Sequence, residues 1–138
     1  MSQQSSAPSP RGADYWVGRG MSGLVIAFML MDLTMKLLAL PVVTQASAAL
    51  GYPPSADFAR ELGVILLLCT LLYAAPPTAV LGAVLLTGFL GGAVASHLRL
   101  GDPLVTHVLF GVYLGLLLWG GLWFRDPRVR ALMPLRAS

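Results

Sequence analysis

Apolar residues fill four long runs of this chain, at 16–40, 58–75, 78–98 and 104–124, separated by short clusters of proline, glycine and charge. A helix needs about 20 mostly apolar residues to cross a bilayer, and each run meets or nearly meets that length. The pattern predicts an all-α fold, an integral membrane four-helix bundle. Pro76 and Pro77 mark the sharpest boundary, because two successive prolines remove backbone donors and stop the second helix. Gly101, Asp102 and Pro103 form the turn before the fourth helix, with Pro103 suited to its first turn. Residues 41–55 are too short and polar to span. Within them, 42–50 predict a short interfacial segment between helices 1 and 2, ended by Gly51, Pro53 and Pro54.

The flanks differ from the runs. Residues 1–15 open with a Ser-, Gln- and Pro-rich stretch and predict a disordered tail without a signal peptide. Residues 16–125 predict the transmembrane domain, and 126–138 a basic tail. Tyr15, Trp16, Tyr73, Trp119 and Trp123 fall near helix ends, as interfacial aromatics do.

Composition agrees with a membrane solvent. Of 138 residues 57% are hydrophobic and 11% charged, against about 25% charged in soluble domains. The single cysteine, Cys69, lies in an apolar run and excludes an intrachain disulfide or thiolate cluster. Basic residues sit mostly near the two ends, a pattern of membrane orientation and not of nucleic-acid binding. With four spans, six of the nine, Arg11, Arg19, Arg125, Arg128, Arg130 and Arg136, share a side. Lys36, Arg60 and Arg99 take the other. The excess predicts an inner-membrane, multi-pass protein with both termini cytoplasmic. Gly88 and Gly92 on the third run, and Gly111 and Gly115 on the fourth, have the spacing that lets membrane helices approach closely, within one bundle or across a homodimer.

Few residues can carry chemistry, and nearly all fall at the outer end. Asp32 and Lys36 are four apart on one helical face and can pair. A charge at the centre of a spanning helix costs roughly 2.5–3.5 kcal/mol, so such residues usually face a partner or a polar cavity. Arg99 shares a face with Gly92 and Ser96 and is the favoured partner of Asp32. His107, on the face of Gly111, is the favoured titrating group, and His97 lies across the turn from it. Two histidines fall short of the three protein ligands of a catalytic zinc, so no metal is expected. Phosphate-loop, nucleophile-elbow and haem-attachment motifs are absent from the sequence.

The run DLTMKLLALPVV, the LGYP at 50–53, the stretch GGAVASHLRLGDP and the HVLFGVYLGLLLWGG that follows resemble the DoxX-like family of small four-helix membrane proteins. Asp32 and Lys36 match a D-x-x-x-K pattern of such sequences. His97, Arg99, Asp102 and His107 match their H-x-R-x-G-D-P and following histidine. Leu33, Pro77 and Gly111 depart from the family's pattern. The resemblance implies the four-helix fold; some relatives are subunits of quinone-linked sulfur oxidoreductases and many others have no assigned activity, so a membrane partner subunit is one expectation and the family does not settle function.

Three functions follow as expectations. The first is binding of a lipophilic small molecule, such as a quinone, in a polar-ended pocket serving redox or stress-related membrane chemistry. The second is an enzyme performing isomerisation, cyclisation or epoxide opening, with Asp32 as acid or base and His107 assisting. The third is a structural or assembly subunit in which Asp32, Lys36 and a partner such as Arg99 or His107 lock helices through an internal ion pair, with His97 a further ion-pair or ligand-binding candidate.

Overall fold

The computed structural model describes residues 11–133 and is helical throughout, with no strand among the described residues. Four long helices, α1 (Ala13–Leu37), α3 (Ala56–Ala74), α4 (Ala79–Leu100) and α5 (Phe110–Arg125), form the bundle. Two short ones, α2 (Pro41–Ala49) and α6 (Pro127–Leu132), lie between α1 and α3 and after α5. Helix α1 packs on α3 and α5, and α4 packs on the same two. The long helices therefore run up and down around a ring in which α1 and α4 are diagonal. One end, the terminal end, carries the start of α1, the Pro76–Thr78 turn and α6. The opposite loop end carries α2 and the turn at Gly101.

Three segments, Ala13–Leu37, Pro76–Leu100 and Leu104–Arg125, are long and apolar enough to cross a membrane. Helix α3 falls outside that description because Asp57, Arg60 and Glu61 open it. Its remaining apolar length, 62–74, spans about 20 Å at 1.5 Å per residue, short of a hydrocarbon core of roughly 30 Å. The four-helix bundle expected from the sequence is present; three of its members are membrane-capable.

The core follows helical spacing. Val25, Met29 and Leu33 of α1 meet Leu66, Cys69 and Tyr73 of α3, Ala79, Ala83, Leu86 and Leu90 of α4, and Leu114, Leu118 and Leu122 of α5. Leu24, Leu68, Leu81, Val84 and Leu116 are exposed on the outer surface. Only 22–28% of the apolar stretch of each membrane-capable helix is buried. An apolar exterior over a thin apolar interior fits lipid as solvent.

Several boundaries differ from expectation. Helix α1 begins three residues before 16, and the disordered tail is otherwise expected on residues outside those described. The basic tail contains α6, whose Val129 joins the core. Asp126 starts α6 by accepting a hydrogen bond from the Arg128 N–H at 2.9 Å. Of the four expected packing glycines, Gly111 alone packs closely against another helix of the chain. A Cβ on Gly88, Gly92 or Gly115 would meet nothing within 4 Å, whereas one on Gly111 would lie 2.8 Å from Val94 of α4. The closest approaches to another helix's backbone occur elsewhere, at Gly82 against Tyr73 and at Gly18 against Gly121. A four-residue glycine spacing marks one helical stripe without saying which way it faces.

Candidate functional site

Three helices stop at the loop end by the same local chemistry. In each, the two residues past the cap return their N–H groups to carbonyls of the last turn: Ala39 to Lys36 and Leu40 to Met35, Gly51 to Ala48 and Tyr52 to Ser47, Gly101 to Leu98 and Asp102 to His97. This termination needs a left-handed residue. Gly51 (φ 80°) and Gly101 (φ 72°) supply it freely, while Ala39 (φ 49°) does so against a steric cost.

Helix α2 is tied across these ends. Arg99 at the end of α4 donates from Nη2 to the carbonyl of Leu50 at 2.7 Å, a cation on an orphan carbonyl at a helix C-terminus. Tyr52 and Ser96 share a hydroxyl hydrogen bond of 2.7 Å, and the Tyr52 ring stacks on Phe58 of α3 at 5.4 Å. Asp32 and Lys36 pair along α1, as their spacing predicts. Their side chains are 25% and 16% exposed, so the pair is largely withdrawn from solvent even before lipid is added. Arg99 is not the partner of Asp32: α1 and α4 face each other diagonally, and the Arg99 guanidinium is committed to α2.

The histidines meet as their positions in the turn suggest. His97 and His107 have ring centroids 5.7 Å apart. His97 Nδ1 lies 2.6 Å from Asp102 Oδ2, and His107 Nδ1 lies 2.8 Å from Thr106 Oγ1. Residues Leu104–Val108 form a π turn, with the Leu109 N–H reaching back to the Leu104 carbonyl at 2.8 Å. That extra residue per turn separates the faces of His107 and Gly111: Gly111 is buried against α4 and His107 is exposed. Phe28 of α1 meets Phe110 of α5 edge to face at 5.2 Å. Asp32 lies one turn beyond Phe28, and His107 three residues before Phe110, so both stand at about one level on neighbouring helices. No hydrogen bond joins them among the described residues. Nor do three His, Cys, Asp or Glu side chains there converge as metal ligands would.

The terminal end holds a polar node that sequence reading missed. The Tyr73 hydroxyl donates to the Leu118 carbonyl of α5 at 2.9 Å and shares a 2.9 Å hydrogen bond with Ser22 of α1. Tyr73 is fully buried, not interfacial. Arg125 of α5 lies with its Cζ 5.5 Å from the centre of the Tyr73 ring. The signal available was the small-residue pair Gly18 and Ser22 on α1 with Gly121 on α5, which brings those two backbones together and sets the Ser22 hydroxyl within reach of Tyr73.

Fold and site together define a small all-helical membrane protein whose polar groups gather at the two ends of an apolar bundle. Residues 20–121 match the DoxX-like family, and the chain belongs to it. Comparison with curated proteins and with solved structures finds no match.

Proposed function

We propose that this DoxX-like protein binds a lipophilic small molecule of quinone type at the loop end, between α1 and α5, in redox or stress-related chemistry of the inner membrane. In this reading α3 also crosses, both termini face the cytoplasm and the loop end faces outward. The observation that carries it is the Asp32–Lys36 pair, an ion pair in an apolar helix with no further protein partner among the described residues. Buried charges are retained where they serve a polar contact. Lys36 supplies donors that match a quinone carbonyl, and Asp32 holds its ammonium in place. Phe28 and Phe110 supply an aromatic floor about one helical turn below Asp32.

The test uses the full chain in lipid nanodiscs with a short-chain ubiquinone as probe. Lys36→Met and Asp32→Asn should each weaken binding about tenfold or more, the scale of one charge-assisted hydrogen bond, while the protein still folds. Wild-type affinity in both folded variants sinks the proposal.

One observation favours a second reading, acid/base turnover of the bound molecule. Asp102 beside Nδ1 of His97 fixes the tautomer and leaves Nε2 as an acceptor, which is the geometry of an oriented general base. A bell-shaped rate profile whose acidic limb, the limb set by protonation of the base, moves in Asp102→Asn supports it. Recovery of the bound lipophile unchanged after prolonged incubation removes it.

A further inference from the structure

At the terminal end, a cleft of about 440 Å³ opens between the start of α1, the Pro76–Ala79 turn and the α5–α6 junction. Tyr15, Arg19, Arg125, Asp126 and Arg128 supply its polar lining, over a floor that includes Pro76, Ala79 and Leu122. The charges do not cancel. Asp126 is the one carboxylate in the lining, and its Oδ1 already accepts from the backbone N–H of Arg128 at 2.9 Å and from Arg128 Nε at 3.4 Å.

Arg125 is the unusual member. Its Nε and Nη2 are buried and without a hydrogen-bond partner among the described residues. A guanidinium carries five N–H donors, and leaving a charged group's donors buried and unmade costs more than the roughly 1–3 kcal/mol of a neutral one. Its stack on Tyr73 is the compensation the protein provides. Neighbouring cations are engaged otherwise: Arg130 donates to the carbonyls of Trp123 and Phe124, and Arg11 to the Tyr15 hydroxyl. Asp14 is exposed in the first turn of α1, with no ion pair among the described residues.

We infer that this cleft binds a phosphate-bearing anion, with Arg125 and Arg19 as its principal ligands and Arg128 at its mouth. A small turn of the Arg125 fork presents two parallel N–H groups to two phosphate oxygens, the bidentate geometry that distinguishes arginine from lysine. A phosphate monoester or diester supplies the missing acceptors and offsets the surplus positive charge. The apolar floor beside the arginines suits a headgroup with acyl chains leaving along the bundle. The charged lining, Arg19, Arg125, Asp126 and Arg128, lies outside the 20–121 match to the family. The site lies at the opposite end of the bundle from the loop-end proposal and is independent of it.

The experiment titrates the full chain, purified in a zwitterionic detergent, with phosphatidylglycerol, phosphatidylcholine or inorganic phosphate, reading thermal stability and lipid retention by native mass spectrometry. Phosphatidylglycerol should raise the melting temperature and remain bound. Arg125→Gln should weaken that binding about tenfold or more, as loss of a charge-assisted hydrogen bond does, and Arg125→Lys should rescue it only in part. Stabilisation by inorganic phosphate with the same arginine dependence assigns the site to a soluble phosphate. Should Arg125→Gln fail to fold, the exposed Arg19→Gln carries the test. Equal response to phosphatidylglycerol and phosphatidylcholine, or anion binding unchanged in Arg19→Gln, overturns the inference.

Discussion

The two ends of the bundle are built on different principles. At the terminal end backbones touch: Gly18 faces the carbonyl of Gly121, and Gly82 of α4 lies directly on the Tyr73 backbone of α3. Its hydrogen bonds join separate helices, Ser22 on α1 through Tyr73 on α3 to Leu118 on α5. At the loop end the chemical groups bond locally instead, Asp32 with Lys36 and His97 with Asp102, and the link between helices is made by α2 through Arg99 and Tyr52. Helix association without a hydrophobic driving force depends on close packing and interhelical hydrogen bonds. The terminal end therefore holds the fold, and the loop end has polar groups available for a ligand.

Gly82→Ala should break this contrast most sharply. A Cβ there would sit 2.1 Å from the Tyr73 backbone nitrogen and 2.5 Å from its Cα. Backbone cannot move aside as a side-chain tip can, so α3 and α4 must separate along the turn that joins them. Overpacking typically costs about 1–3 kcal/mol and more when no rotamer relieves it. The expected result is a folded yield in detergent falling to a small fraction of wild type, or a melting temperature lowered by many degrees. A normal melting curve would show that the terminal end is not the clamp.

Tyr73→Phe is the next step down. It keeps the ring among its neighbours and removes the hydroxyl, leaving the Ser22 hydroxyl and the Leu118 carbonyl without that partner. The loss should be about 1–3 kcal/mol, read by thermal or denaturant unfolding in micelles. Ser22→Ala in the same background should add little, because the bond it would remove is already gone. Full additivity of the two changes would mean that the three groups do not act as one node.

What the sequence made legible follows the same division. The four helices, the Pro76 stop, the short segment before α3 and the Asp32–Lys36 pair all depend on local composition or spacing, and all are present. Arg99 went to the wrong partner because a helical face says which residues align, not which neighbouring helix they meet. The ring order, with α1 diagonal to α4, is tertiary information. The π turn at Leu104–Val108 shifted His107 away from Gly111, and nothing in LVTHV announces the extra residue. Tyr73 was misplaced for a third reason: a tyrosine near a helix end is usually interfacial, and only the facing glycines reveal that this one is buried. Membership of the DoxX-like family matches the resemblance carried by the DLTMK and HLRLGDP stretches.

Ala39→Gly should have the smallest effect and the opposite sign. Ala39 ends α1 at φ 49°, where an L side chain costs roughly 1–2 kcal/mol. Glycine relieves that strain and returns about 0.5–1 kcal/mol as extra unfolded-chain entropy. The balance is a gain of about 0.5 kcal/mol, a rise of a few degrees at most in the melting temperature. The residue sits three positions past Lys36, and the Ala39 N–H bonds the Lys36 carbonyl at 3.0 Å, so easing the turn alters how firmly the Asp32–Lys36 pair is held. Measured side by side, a stabilised variant with weaker quinone affinity would mean that the left-handed alanine holds Lys36 in its binding position. A stabilised variant with unchanged affinity would confine its role to ending α1, and a destabilised one would contradict the strain assigned to Ala39.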